Sequence, residues 1–123
     1  MTPSPTDALL QAKEAVLVDM REYVAEQGED NAGYALDDVA AVGVVLEGFQ
    51  SAWNALVDQP SREGLDAALS VAIEQLNGLN DRCDFCLIET HQRELLAAYF
   101  NQAAQALGLA TPAEDVTEEL RDW

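Results

Sequence analysis

Positive charge is nearly missing from this sequence. Lys13 is the only lysine, and with five arginines the basic residues number 6 against 23 aspartates and glutamates, a net of −17. No two basic residues are adjacent. Binding to nucleic acid draws its affinity from Lys and Arg that neutralise phosphates, so neither nucleic acid nor an anionic membrane surface is the expected partner. Histidine is reduced to His91, which leaves little room for acid–base machinery. The 7 glycines never gather into a phosphate-cradling loop. No stretch alternates with a two-residue period for long enough to make a strand, and there is no internal repeat. Met1-Thr2-Pro3-Ser4-Pro5 has no basic or apolar leader segment, which gives the expectation of a mature, cytoplasmic chain.

What the sequence has in quantity is apolar residues, 49% of the total, spread along nearly the whole length. That is enough for one all-helical domain over 1–123 without metal, disulfide or cofactor. The central stretch 37–58 organises the rest. Val39, Val42, Leu46, Phe49, Trp53 and Leu56 recur with the period of one helix face, and Ala41, Val45 and Ala52 widen it. Only a narrow stripe of Glu47, Gln50, Ser51 and Asn54 is left for water, so neighbouring helices must wrap this one. The run approaches membrane-spanning length, but its polar stripe and acidic flanks mark it as buried in protein.

Around this helix the start and stop signals place three others. Ser4-Pro5-Thr6-Asp7 opens a first helix that runs to about Gln27 and stops at Gly28. Residues 28–36 form the longest loop, with Tyr34 and Leu36 folding back on the helix ends; they lack the carboxylate pattern of a calcium loop. Gln59-Pro60 breaks the chain, Ser61 caps the next helix, and Gly78 is expected to end it. A further helix runs from near Thr90 to Leu107. Thr111-Pro112-Ala113-Glu114 has the form of a capping box, so a short C-terminal helix with Val116, Leu120 and Trp123 on one edge is expected. The fold class is therefore an all-α compact bundle of four main helices plus a short C-terminal helix.

One stretch does not read as plain bundle. Both cysteines and the single histidine fall between Cys83 and His91. Two thiols two residues apart near a helix start can share a lowered pKa, and His91 can shuttle the proton. Cys83, Cys86 and His91 give three metal ligands at most, short of a structural zinc set, so no metal is expected. The Cys-x-x-Cys pair ahead of a His resembles the peroxidase-linked helical thiol proteins of the carboxymuconolactone decarboxylase-like group. The resemblance is confined to this stretch. Here four residues separate Cys86 from His91, and no counterpart of that group's proton-relay Glu stands out. It implies an all-helical thiol oxidoreductase with Cys83, Cys86 and His91 as its catalytic residues.

Three classes of function follow. The first is a rigid acidic module of the immunity, inhibitor or adaptor kind that docks a basic partner protein. Charge would steer the encounter, and Tyr34, Glu114, Asp115, Glu118, Glu119 and Trp123 would form the binding surface, with Tyr99 a further anchor. Rows of carboxylates on the first helix and the tail could sharpen this into mimicry of nucleic acid. The second is the thiol oxidoreductase. The third is an oligomerising element, in which apolar surface on the 90–107 helix and the tail forms a homodimer. Glu47 stands apart as a carboxylate midway along the central helix, either buried or part of the solvated stripe.

Overall fold

The structure, a computed structural model, describes residues 4–123; residues 1–3, where part of the leader argument falls, lie outside it. Ser4 accepts a hydrogen bond from the Asp7 amide (3.1 Å) and starts α1 (Pro5–Gln27). At its end, Gly28 takes a φ of 78° and returns its own amide to Val24. The 28–36 loop is less open than expected, since it contains a one-turn helix, α2 (Glu29–Ala32). The central helix α3 (Leu36–Leu56) opens with the Asp38 carboxylate accepting the Ala35 amide at 2.9 Å. Ser61 caps α4 (Arg62–Arg82) through the Gly64 amide, and α5 (Thr90–Ala106) completes the set.

α3 packs between α4 on one side and α1 on the other, and α1 in turn packs on α5. Their buried faces meet in one continuous core. Its centre is an edge-to-face aromatic cluster of Phe49, Tyr99 and Phe100, with ring centroids 4.9–5.8 Å apart. Two polar handles on large core side chains are satisfied across the bundle. The Trp53 indole donates to the Ala103 carbonyl (3.0 Å), and the Tyr99 hydroxyl donates to the Leu46 carbonyl (3.1 Å). These bonds fix α5 against α3, and burial of Tyr99 raises its phenol pKa.

Several expectations need correction. Gly78 does not end α4, which runs on to Arg82 because the residues just beyond, Leu79 and Asn80, are buried and hold the helix down. On α3, Gln50 is buried rather than solvated, while Leu36, Val44 and Ala52 are exposed. Glu47 lies on the solvated side, 3.7 Å from Nζ of Lys13, whose side chain is largely covered.

The expected C-terminal helix is replaced by turns, and the short fifth helix of the fold is α2 instead. Half of the capping box does form, with Glu114 accepting the Thr111 amide at 3.1 Å. The next amides are then captured by side chains. Asn101 on α5 accepts the Val116 amide (2.7 Å), and Asp115 accepts both the amide and the hydroxyl of Thr117 (3.0 and 2.7 Å). Such bonds offer the backbone an alternative to a helical ladder, and here the alternative wins. The tail then crosses to α4, where Asn77 binds the Leu120 carbonyl and the Asp122 amide at 3.0 Å each. Arg62 at the start of α4 also holds the Leu109 carbonyl at 2.8 Å. α4 and α5 barely meet directly, so the segment after α5 closes the side of the bundle between them.

No helix among the described residues is long and apolar enough to cross a membrane.

Candidate functional site

The site is built around the way α4 ends. The Phe85 amide reaches back to the Asn80 carbonyl (2.8 Å) and the Asp84 amide to the Asp81 carbonyl (3.1 Å), the paired bonds of a Schellman termination. The position that usually carries glycine is Asp84, at φ 53°, and Phe85 follows at φ 63°. Aspartate tolerates the left-handed region because its short side chain bonds locally; phenylalanine does not, so strain is stored at an exposed aromatic ring. Beneath the turn, buried Asn80 accepts the Ile88 amide at 2.9 Å and pins the loop to the core.

The two cysteines then separate by environment. Both are free thiols. Cys83 caps α4 and is buried, and its thiol pKa is raised, first by desolvation and then by the neighbouring Asp38 carboxylate. Cys86 is half-buried, with Sγ 3.7 Å from the Asp84 carbonyl. Its Cβ lies against Gly33, where a methyl group would stand 2.8 Å away, so the αL glycine that ends α2 is what admits Cys86 to this position.

From Cys86 the chain enters α5. Glu89 precedes the helix, and Gln92 accepts the Glu89 amide at 3.3 Å while donating to Asp19 Oδ2 on α1 at 2.8 Å. His91 Nε2 stands 3.1 Å from the other oxygen of Asp19. Asp19 therefore locks the start of α5 to the middle of α1. Above this lock is a cavity of about 390 Å³ lined by Asp19, Glu22, Tyr23 and Glu26 from α1 and by Cys86, Glu89, Thr90, His91 and Gln92.

Thus Cys86 and His91 are brought to one cavity, while Cys83 lies outside its lining. Among the described residues no group of three His, Cys, Asp or Glu side chains is placed to hold a metal ion. A thiol acts as a nucleophile through its thiolate, so the raised pKa of Cys83 works against redox chemistry at that sulfur.

The other sequence-selected residues divide. Tyr34 and Trp123 are buried, as is Tyr99, and are parts of the core rather than an exposed contact surface. Tyr34 stacks on Tyr23 at 6.0 Å between centroids, and its hydroxyl finds no hydrogen-bond partner among the described residues. Its pKa is raised by desolvation and then by the negative field of Asp19. Trp123 lies beneath the Arg121 guanidinium, 5.7 Å from the ring centroid. Glu114, Glu118 and Glu119 are exposed and, with Asp66 and Asp115, line a second cavity of about 610 Å³ between α4 and the tail. Asp115 has a structural task there. Desolvation is the largest influence on its carboxyl and acts upward, but the bonds from Thr117 and Asn101 and the nearby Arg121 outweigh it and lower the pKa.

Asp19, Glu22 and Glu26 belong to the carboxylate row that the sequence places on the first helix, at i, i+3 and i+7; the approach of Glu89 is a tertiary event with no sequence signal. Comparison with protein-family models, with curated proteins and with solved structures finds no match to this chain.

Proposed function

We propose that this protein is an acidic binding module that docks a basic partner protein. The observation that carries the reading is the α1–α5 cavity, where Glu22, Glu26 and Glu89 surround a formed pocket and have no ion-pair partner among the described residues. Three carboxylates in the lining of one pocket give it a negative potential that a cationic group on a partner complements. The second cavity repeats the theme more weakly: Asp66 pairs with Arg62 and Asp115 with Arg121, and Glu114, Glu118 and Glu119 have no ion-pair partner among the described residues. A net charge of −17 adds long-range attraction that raises the encounter rate. The carboxylates form two pockets on different elements rather than one continuous row, which supports docking of a protein more than mimicry of nucleic acid. The buried, raised-pKa thiol of Cys83 supports docking over the thiol oxidoreductase reading. A cytoplasmic setting agrees with two unpaired cysteines.

The test is affinity capture at low salt with the retained proteins identified, followed by kinetics on the main species. The association rate should fall tenfold or more between about 0.01 and about 0.15 M salt, as the Debye length shrinks from about 30 to about 8 Å. Failure to retain any basic protein at low salt would remove the reading. Sedimentation of the purified chain separates it from the homodimer alternative.

A further inference from the structure

We propose that the outer face of α3 is a two-fold contact between two copies of this chain, with Val44 on the axis. α1 and α4 flank α3 and α5 bonds to it from within the core, so one side of α3 is left uncovered. Five of the seven large apolar side chains exposed among the described residues gather on that side: Leu10 and Val18 on α1, Leu36 and Val44 on α3, and Val71 on α4. A concentration of this kind marks an interaction surface. Val44 is 68% exposed and lines a groove on either side of α3, one of about 340 Å³ against α1 and one of about 640 Å³ against α4.

Charge selects the occupant. The charged side chains lining the two grooves, with Lys13 beside Glu47, are Glu14, Glu47 and Asp81 against Lys13, Arg21 and Arg82, which sum to zero on a chain of −17. A basic partner finds no net negative charge there, whereas a second copy meets no local repulsion. The signs are also separated along α3. Arg82 lines the groove with Ala41 and has no ion-pair partner among the described residues, and Glu47 stands nearly two turns further along the helix. In an antiparallel pairing about Val44, residue 47 of one copy faces residue 41 of the other, so Glu47 comes to Arg82 of the second copy, twice per dimer. Leu36, Ala40, Val44 and Gly48 form one i, i+4 row, the kind that interlocks with its like at a crossing of about −50°. The pairing sets Ala40 against Gly48, two small residues that let the helices close on the valines, and the space over Gly48 is open. Asp37 falls opposite Ser51, whose hydroxyl can donate to it.

This face shares no lining residue with the two acidic pockets, so both stay open in the dimer and docking is unaffected. It is also distinct from the 90–107 helix and the tail, the surface that the homodimer alternative would use.

The test is sedimentation equilibrium of the full chain and its variants. Screening of the like net charges should tighten the dimer tenfold or more between about 0.01 and about 0.15 M salt, the opposite sign to the docking rate. Val44→Glu places two carboxylates on the axis and should weaken the dimer at least tenfold with an unchanged circular dichroism spectrum. Glu47→Arg and Arg82→Glu should each weaken self-association, and an equimolar mixture of the two variants should dimerise again, because every pair across the axis then joins opposite charges. A folding defect would not be repaired by mixing. A monomer at every salt and protein concentration, or a mixture that stays monomeric, would overturn the proposal. So would a dimer indifferent to Val44→Glu, which would place the contact on the 90–107 helix and the tail. None of these results touches the docking reading, which stands or falls on the captured basic protein and its salt dependence.

Discussion

Replacing Gly33 by alanine tests how the site is held together. Two costs add. Gly33 has φ 84°, and an L-residue with a side chain pays about 1–2 kcal/mol in that region. The new Cβ would also stand 2.8 Å from Cys86 Cβ and 3.2 Å from its Sγ, closer than carbon atoms approach, and such overpacking costs about 1–3 kcal/mol. The expected loss is therefore about 2–5 kcal/mol, a large part of a typical domain's stability. The two costs can be resolved, because Cys86→Gly removes the clashing atoms and leaves the backbone strain. In a double-mutant cycle the pair should show a favourable coupling of about 1–3 kcal/mol, whereas Cys86→Ser, which keeps Cβ, should recover almost none. Urea unfolding followed by the fluorescence of the buried Trp53 and Trp123 measures the parent and every variant. A Gly33→Ala variant within about 0.5 kcal/mol of the parent, or strict additivity with Cys86→Gly, would refute the claim that α2 and the Cys86 loop share one tight contact.

Three further outcomes follow from the same geometry. Because Asp115 has its folded-state pKa below the reference 3.8, its contribution is complete above the unfolded value and is lost as pH falls through the folded one. A pH titration of the Val116 and Thr117 amide signals should thus show a midpoint below 3.8, and one above it would contradict the hydrogen-bond account. Thiol titration with a disulfide reagent should give one fast and one slow sulfur, the fast one mapped to Cys86 by mass spectrometry; the reverse order would disprove the burial argument. Phe85→Gly should raise the unfolding free energy by about 0.5–1 kcal/mol, since relief of about 1–2 kcal/mol of left-handed strain exceeds the entropy that glycine adds to the unfolded chain. A lower melting temperature in that variant would mean that the exposed ring packs more than its 59% exposure implies.

How far the sequence announces this structure depends on whether a feature is local. The stripes Val39 to Leu56 and Leu65 to Leu79 are readable because helical period and burial are the same fact seen twice, and Ser4, Gly28 and Ser61 announce their helix ends through chemistry within a few residues. The end of α4 is not readable in that way. Its termination is carried by Asp84, a residue type that accepts the left-handed region without advertising it, while Gly78, a stronger local signal, sits in continuous helix. The tail shows local and distant chemistry in competition: Thr111 and Glu114 form their expected bond, and Asn101 on α5 takes the Val116 amide that a helix would have needed. The site was half legible. Cys86 and His91 were marked by rarity, but their cavity is completed by Asp19, Glu22 and Glu26 from the other half of the sequence, and no periodicity links the two. Tyr34 and Trp123 were ambiguous because an aromatic with a polar tip serves equally well in a core or at an interface.

The packing of the Lys13 side chain beside Glu47 bears on how the molecule can be handled and watched. Its ammonium is the chain's sole side-chain amine, and only 12% of that side chain reaches solvent. Acylating or cross-linking reagents aimed at lysine will therefore find this ε-nitrogen when α1 swings away from α3. Labelling at that one atom becomes a clock for opening of the bundle rather than a map of its exterior.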